Sequence, residues 1–460
     1  MGTVFRSFNQ SLLAISISLL CLPLAAKEPA MPASGLPIEL VNKITATVDR
    51  DTARLQTIFK DLHQHPELGF METRTAGIVA NELKKLGYEV KTGIGKTGVV
   101  GILKNGNGPT VMYRADMDAN SVEEATGLPY ASKVRVTLPD GTETPVAHMC
   151  GHDAHTTWLI SLAKTMATFK DQWSGTLVLV AQPAEELIEG ATAMVNDGMF
   201  TQHNVPKPEY LLGLHTAPLP TGVIIGSGGL LQAGTEQLDV TFHGLGGHGS
   251  SPHLTKDPVL MGAYAVTQYQ SIISRVLDPR DVGVITVGAF QAGATNNVIP
   301  EEATLKLNFR FFDESTHETL YEGVEAISNG IARTYGMPED KLPTIIRKGY
   351  SSPLVNDQSL IDQLNRALMN SNLVAEKSLI TRVRPITGSE DVHMLVQNME
   401  GVKLGYSAVG VAEPKLYKAA KAKGLEQPFS NHSPYYRVDL NAIPFGAKVA
   451  AIMTMELLNN

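Results

Sequence analysis

TLVLVAQPAEE, at residues 176–186, runs from an apolar stretch directly into two adjacent carboxylates. The apolar part, residues 176–181, has the length and the β-branched content of a buried strand. Glu185 and Glu186 follow its end and would repel each other, an arrangement that a structural role rarely requires. A metal ligand beside a general base would explain the pair, and a solvated turn is the alternative that these residues leave open.

Neighbouring stretches alternate between strand and helix patterns. Strand-like runs are found at 99–103, 110–113 and 210–214, and amphipathic helical patterns at 40–63, 75–86 and 156–169. The alternation predicts an α/β fold whose mostly parallel sheet is flanked by helices. Polar candidates follow the ends of three strands: Asp116 and Asp118, then Glu185 and Glu186, then His215. Because such sheets bind ligands at their carboxyl edge, we expect one shared site there.

A glycine-rich break at 225–234 opens a segment with a different rhythm. Strand, helix, strand, strand, helix and strand patterns follow at 236–243, 258–276, 283–289, 303–312, 316–335 and 343–347. This order is that of a ferredoxin-like α+β sandwich, which as an insertion would form a lid. Helical patterns at 357–371, 389–396 and 442–458 lead back to the first domain. We therefore predict a catalytic domain in two parts, 40–230 and 348–460, around a lid and dimerisation domain at 231–347.

Residues 1–26 differ from this ordinary globular composition. Arg6, an apolar run at 12–24 and the pair Ala25-Ala26 have the layout of a secretory signal peptide, so we expect a chain that is exported to the periplasm or secreted. A membrane anchor is the alternative, against which the short apolar run argues, and we expect no stable membrane insertion after processing. A lipoprotein at Cys21 is disfavoured by the bulky Leu20.

Charge and cysteine content limit the partners. The formal net charge is −8, and about −9 once the +1 of Arg6 is removed with the signal peptide. Mild acidity without long basic runs argues against nucleic acid or an anionic membrane as a partner. Processing would leave Cys150 as the single cysteine, which cannot form an internal disulfide. A free thiol is a liability in an oxidising compartment, so the presence of Cys150 is best explained by a thiolate that is bound to another group.

CGHDAH, at 150–155, contains that cysteine. Cys150 and His152 lie two residues apart, so that both can face one point from an irregular loop, and thiolate, imidazole and carboxylate together bind divalent ions. The alternative is a core cysteine beside a helix-capping His-Asp pair. His155 either supports a ligand or is a simple helix residue. Taken singly, His215 and His432 would be ordinary histidines.

Motifs of other enzyme classes are incomplete or absent in this sequence. GIGKTG at 93–98 lacks the glycine that a phosphate loop requires, and GLGGHGSSPH at 244–253 has no GxGxxG context. The sequence contains no HExxH, no PCxxC pair of a zinc deaminase and no GxSxG elbow. Nucleophilic catalysis by a serine is therefore not expected.

Nine motifs occur together in a familiar order: LHQHPELGF (62–70), RADMDA (114–119), CGHDAH (150–155), QPAEE (182–186), GLH (213–215), GGHGSSPH (246–253), TNNVIPEEA (295–303), GSED (388–391) and NHSP (431–434). The order resembles that of the M20 metallopeptidase family. The chain is most similar to its amidohydrolase branch, which contains hippurate hydrolases, N-acyl-amino-acid deacylases and plant auxin-conjugate hydrolases. The resemblance covers roughly residues 45–458.

The resemblance implies two divalent metal ions per subunit, zinc or manganese, with cobalt or nickel as substitutes in vitro. Their implied ligands are Cys150, His152, Glu186, His215 and His432. Glu185 would activate water, and Asp118 would orient a ligand. In related families a lid histidine stabilises the tetrahedral intermediate, often across a dimer interface, and lid Asn and Arg side chains bind the substrate carboxylate. The matching positions are His248, Asn297 and Arg310, and an exposed strand residue is the alternative for Arg310.

The sequence departs from the family pattern in three places. Insertions at 134–146 and 412–426 flank metal motifs, so we expect them to rim the pocket. Asp116 stands where other M20 peptidases have the histidine of an HxD motif.

The predicted function is metal-dependent hydrolysis of an N-acyl amino acid, or a similar conjugate with a free carboxylate, by a homodimer that forms through the lid. A dipeptidase or carboxypeptidase acting on short peptides is the alternative. A non-catalytic carboxylate-binding protein is a further one, although it would be expected to have lost Glu185 or a ligand.

Overall fold

The computed structural model describes residues 35–459. The predicted signal peptide lies outside these residues, and with it the prediction of export. No helix in the described range is both long and apolar enough to cross a membrane.

The described range contains nine α-helices and eighteen strands. The helices are α1 (Ile38–Gln64), α2 (Thr73–Lys85), α3 (His152–Thr168), α4 (Gly190–Asn196), α5 (Pro258–Ser271), α6 (Glu314–Thr334), α7 (Gln358–Asn370), α8 (Pro414–Ala422) and α9 (Ala442–Leu458). The strands are β1 (Glu89–Ile94), β2 (Gly98–Asn105), β3 (Thr110–Asp116), β4 (Val134–Thr137), β5 (Glu143–Val146), β6 (Gly175–Gln182), β7 (Tyr210–Pro220), β8 (Ile224–Ile225), β9 (Gly229–Gln232), β10 (Gly234–His243), β11 (Gly247–His248), β12 (Gly283–Ala292), β13 (Val298–Ile299), β14 (Glu302–Phe311), β15 (Thr344–Ser351), β16 (Leu354–Asn356), β17 (Leu379–Ile380) and β18 (Lys403–Ala412).

An eight-stranded sheet forms the centre of the molecule, in the order β1-β2-β6-β3-β7-β18-β8-β17. Strands β6, β3, β7 and β18 are parallel to their neighbours in this group, whereas β1 and β2 form an antiparallel edge. The middle strands are buried on both faces, which explains their continuous apolar runs. The core on one face includes residues of α1, α2, α3, α7 and α9, and that on the other includes α4. The α/β prediction is confirmed.

Helix α9 packs closely against α3 in the core. It is apolar on nearly all sides and almost entirely buried. At Gly446 a Cβ atom would lie 2.2 Å from the Trp158 ring, so only glycine allows the two helices to approach this closely. The position of α3 matters for function because its first turn carries His152.

The inserted segment forms a second, antiparallel sheet in the order β12-β14-β10-β15, packed with α5 and α6. Alternate residues of β14 are buried, from Ala303 to Phe311, as expected for a sheet with one face on a core. Asp257 and Asp313 cap α5 and α6 by accepting backbone N–H groups. The predicted ferredoxin-like lid is confirmed.

Several elements differ from the sequence expectation, and two of them contribute to the surroundings of the site. Strand β18 was not predicted, because Gly405 and Gly410 interrupt its pattern; a Cβ at Gly410 would lie 2.1 Å from the carbonyl oxygen of Pro220 in the neighbouring β7. The helix predicted at 389–396 is wrong, since only Val392–Leu395 forms a short 3-10 turn. There the Glu390 carboxylate accepts the backbone N–H groups of Asp391 and Val392 instead.

The two insertions are ordered parts of the fold. Residues 134–146 contain the β4-β5 hairpin, and 412–426 contain helix α8.

Candidate metal centre and active site

The candidate ligands meet at the carboxyl edge of the central sheet. Asp116 ends β3, Glu185 and Glu186 follow β6, and His215 lies inside β7, which continues further than predicted. His152 is the first residue of α3 and not part of an irregular loop, while Cys150 lies two residues before it. Gly151 between them has a φ of 85°, which favours glycine, and a Cβ there would lie 2.5 Å from the Tyr436 hydroxyl.

Six predicted side chains form one cluster, which we call the donor cluster: Cys150, His152, Glu185, Glu186, His215 and His432. Within it, Cys150 Sγ lies 3.5 Å from His215 Nε2. Glu186 Oε1 lies 3.7 Å from His152 Nε2 and 3.2 Å from His432 Nε2. Donor atoms fall into overlapping groups of three, each within 4.8 Å: Cys150, His152 and His215; Cys150, Glu186 and His432; His152, Glu185 and Glu186.

These residues fit divalent metal ions. Among the described residues, His152 Nε2 is buried without a hydrogen-bond partner. Buried polar atoms are rarely left without partners, so this nitrogen lacks an interaction that a cation would provide. Thiolate, imidazole and carboxylate donors are also the ligands that borderline-soft divalent ions prefer.

Burial and charge set the protonation of the cluster. Burial, together with the Glu390 and Glu186 carboxylates, holds the pKa of Glu185 well above its usual range. Burial acts in the same direction on Glu186, but the hydrogen bond from His432 and the charge of His152 lower its pKa to about 2. Two neighbouring carboxylates thus have opposite properties, one suited to accept a proton and the other to remain charged.

Burial and neighbouring charges also set the protonation state of the Cys150 thiol. Burial and Glu186 raise its pKa, but His215 and His152 outweigh them and hold it well below the usual range. A thiolate is therefore favoured at this position, as metal ligation requires.

Two buried aspartates orient the histidines. Asp118 Oδ1 lies 3.2 Å from His152 Nδ1, and Asp118 Oδ2 accepts the Glu186 N–H at 2.9 Å. His155, whose role the sequence left open, supports the site: its Nδ1 lies 2.5 Å from Asp116 Oδ1, and its Nε2 accepts the Thr216 N–H at 2.9 Å. His155 therefore ties α3 to β3 and β7.

Sequence reasoning missed a buried ionic network beside Glu185. Arg114 donates to Glu390 Oε1 at 2.8 Å, to Asp391 Oδ1 at 3.0 Å and to Asp116 Oδ2 at 2.6 Å. Glu390 also accepts a hydrogen bond from the Tyr406 hydroxyl. The RADMDA and GSED motifs were the available signal, but neither motif indicates that its charges meet.

A cavity of about 580 Å³ opens onto the donor cluster. Its apolar wall includes Leu219, Ile225, Leu231, Val383 and Ile386. Arg310 lines the polar part, where its Nε donates to Asn308 Oδ1 at 2.9 Å and its Nη1 to Ser389. Arg310 is thus part of the cavity and not a solvent-facing strand residue.

His248 and Asn297 do not line this cavity. His248 lies in β11, which pairs with β13 to form an exposed ribbon of the lid, and its Nδ1 is 2.7 Å from the Ser250 hydroxyl. Asn297 directly precedes β13 and is exposed. The structure therefore does not bring these two predicted site residues to the donor cluster of their own chain.

The sequence profile of peptidase family M20/M25/M40 matches residues 112–455. Hippurate hydrolase of Campylobacter jejuni is 38% identical over 339 residues, which cover 73% of this chain and 83% of that protein. Thermostable carboxypeptidase 1 of Saccharolobus solfataricus is 31% identical over 433 residues, 92% of this chain and all of that protein (100%). A crystal structure from methicillin-resistant Staphylococcus aureus, described provisionally as an aminohydrolase, is 28% identical with a TM-score of 0.74 and covers 91% of this chain and 99% of that one.

The chain belongs to peptidase family M20/M25/M40. Its class is that of the metal-dependent amidohydrolases, in agreement with the donor cluster. The family resemblance predicted from the nine motifs is confirmed.

Proposed function

We propose that this chain hydrolyses the amide bond of N-acyl amino acids, or of similar conjugates, that carry a free carboxylate. One observation carries the proposal: a buried base and a metal-binding donor set open onto the same cavity as a guanidinium. The apolar wall suits an acyl group, and Arg310 suits the carboxylate of the amino acid. The relative named hippurate hydrolase supports this choice, because hippurate is an acylated glycine.

The donor cluster would hold two divalent ions, zinc or manganese. The group of Cys150, His152 and His215 and the group of Cys150, Glu186 and His432 share only Cys150, which supports two adjacent positions. Ions bound there would polarise the substrate carbonyl and lower the pKa of a water molecule.

Glu185 would do the proton transfer. Its carboxylate accepts a proton from the attacking water and returns it to the nitrogen of the leaving amine. Burial raises its pKa well above the usual range of a carboxyl, which makes Glu185 a stronger proton acceptor than an exposed glutamate. Asp118 holds His152 through Nδ1, which leaves Nε2 directed into the cluster.

Arg310 would bind the substrate carboxylate. Asn308 and Ser389 hold its side chain in the cavity wall, so that little freedom is lost when a carboxylate arrives. The guanidinium presents parallel N–H groups that match the two oxygens of a carboxylate.

His248 and Asn297 would come from a partner subunit. Both are exposed on the lid and neither lines the cavity of its own chain, which supports a homodimer through the lid. In that arrangement the partner's lid supplies the imidazole that stabilises the oxyanion.

A carboxypeptidase is the second candidate, because thermostable carboxypeptidase 1 aligns with 92% of this chain. Substrates of both reactions carry a terminal carboxylate, so the two candidates differ in the group on the acyl side of the scissile amide bond.

The test is turnover of the purified, zinc- or manganese-loaded protein on hippurate, N-acetyl amino acids and dipeptides. We expect N-acyl amino acids to give the highest kcat/KM. Faster hydrolysis of dipeptides would favour the second candidate, and no turnover of either class would refute the proposal.

A further inference from the structure

Glu72 is a completely buried carboxylate that the proposed mechanism does not use. It directly precedes α2, where a side chain often caps the helix by accepting N–H groups. That role is taken by Glu67, whose carboxylate accepts the N–H groups of Arg74 and Thr75 at 2.9 and 2.8 Å. The burial of Glu72 therefore needs another explanation.

The Glu72 carboxylate spans two other parts of the chain. Its Oε1 accepts the backbone N–H of Ala184 at 2.8 Å, and its Oε2 accepts the Thr97 hydroxyl at 2.6 Å. Ala184 is the residue immediately before Glu185. One side chain thus connects the β1-β2 turn to the segment that carries the proposed base.

That segment has an unfavourable backbone conformation. Ala184 has a φ of 49° and Ile188 a φ of 56°, both in the left-handed region that non-glycine residues seldom adopt. Such conformations persist only when surrounding contacts hold them. The hydrogen bond from Ala184 to Glu72 is a contact of this kind.

Residues 67–72, which we call the brace, also contact the second carboxylate-bearing segment. The Ala119 N–H donates to the carbonyl of Glu67 at 2.9 Å, next to Asp118. At Gly69 a Cβ would lie 3.1 Å from Ala184 Cα, so the brace packs tightly against the backbone before Glu185. Through these contacts the brace touches the segments of both Asp118 and Glu185.

Burial has a cost at this position. Burial and the charge of Asp118 raise the pKa of Glu72 to about 7, although the hydrogen bonds that it accepts oppose the shift. A side chain that served only to fill the core would be replaced by an apolar residue without this penalty.

We propose that Glu72 is a positioning residue: its hydrogen bond to the Ala184 N–H fixes the backbone from which Glu185 reaches the reacting water. The inference rests on the proposed function of Glu185 as the base. Because small displacements of a reacting group lower the rate steeply, Glu72→Ala should lower kcat at least about 10-fold. KM should change less than about threefold, and the metal content should stay at the wild-type level.

Glu72→Gln is the rescue variant. Its amide oxygen can still accept the Ala184 N–H, and its NH2 group can donate to the Thr97 hydroxyl oxygen. We expect kcat within about threefold of wild type. Thr97→Val, which removes the other partner of Glu72 and leaves the Ala184 bond, should also stay within about threefold.

The matched control is Asp357→Ala. Asp357 accepts the N–H of Leu360 at 2.7 Å as the cap of α7. Its loss should lower Tm and leave kcat unchanged, which separates general destabilisation from loss of positioning.

The experiment combines steady-state kinetics and metal analysis with hydrogen exchange of a peptide that covers residues 183–190. Exchange should accelerate in Glu72→Ala but not in Glu72→Gln or Asp357→Ala. Wild-type kcat in Glu72→Ala, equal losses in the Ala and Gln variants, a loss of activity that follows metal content, or unchanged exchange would each overturn the inference.

If Glu72→Ala does not fold, Glu72→Asp replaces it, since aspartate is too short to reach Ala184. If the wild type hydrolyses no N-acyl amino acid, the proposed function fails, and the exchange data still decide whether Glu72 holds the segment.

Discussion

The donor cluster and the exposed ribbon of the lid hold their polar side chains in opposite ways. In the cluster, His152 and Glu185 are 0% and 6% exposed and are positioned by the start of α3 and the end of β6, and His432 is the one exposed member. His248 in the ribbon and Asn297 beside it are exposed, and neither lines the cavity of its own chain. Side chains at the carboxyl edge of the central sheet are positioned by the packed core beneath that edge. Whether side chains on the lid ribbon take part in a site depends on which surface the lid contacts.

The largest expected effect tests the buried half of this comparison. Glu185→Gln should lower kcat on the order of 10²- to 10⁴-fold, because the amide has a similar shape but cannot accept the proton. Metal content should stay at the wild-type level, since the ligands remain. Steady-state kinetics with metal analysis of the same preparation measures both.

A normal kcat in Glu185→Gln would remove this residue from the mechanism. Loss of metal together with activity would instead assign Glu185 to metal binding, as its place within 4.8 Å of His152 and Glu186 allows.

The exposed half is tested by His248→Ala. If the partner's lid supplies this imidazole to the oxyanion, kcat should fall about 10²-fold while KM changes little, because the charge appears only in the transition state. A mixture of His248→Ala and Glu185→Gln chains should regain part of the activity, since one site of each mixed dimer would contain both intact residues.

No recovery in a sample shown to contain mixed dimers would place His248 in its own chain's mechanism or outside the mechanism. The same experiment tests the predicted dimer, which recovery requires.

The comparison also explains how much could be predicted from sequence. Glu185 and Glu186 were placed correctly at a strand end because an apolar run and the turn after it are local signals. The pairing of Arg114 with Glu390 spans 276 residues of sequence, and periodicity carries no information about such contacts. His155 and Glu72 share this limit, since their partners lie on distant segments. The roles of His248 and Arg310 came from family resemblance, and only Arg310 is placed at the cavity.

A smaller effect is expected where the lid does reach the cavity. Arg310→Ala should lower kcat/KM for substrates with a free carboxylate roughly 30-fold, which corresponds to about 2 kcal/mol of lost binding free energy. This is the lower end of the range for truncating one partner of a charge pair, because Arg310 is only partly buried. Amidated substrates should be poor for the wild type and should lose little in the variant. Equal hydrolysis of free acid and amide by the wild type would refute the carboxylate role of Arg310.

The smallest expected effect is at Asp118, which holds two members of the donor cluster without joining it. Its Oδ1 faces His152 Nδ1, and its Oδ2 accepts the Glu186 N–H. Asp118→Asn keeps the shape but removes the charge that favours the Nδ1–H tautomer of His152. Residues that support metal ligands typically contribute 10- to 100-fold to metal affinity, and we expect about 10-fold here because the amide can still accept one hydrogen bond. The metal affinity is measured by titrating a chelator against the protein while activity and bound metal are both monitored. Excess metal should restore most of kcat. Unchanged affinity would mean that the first turn of α3 orients His152 without the contact to Asp118.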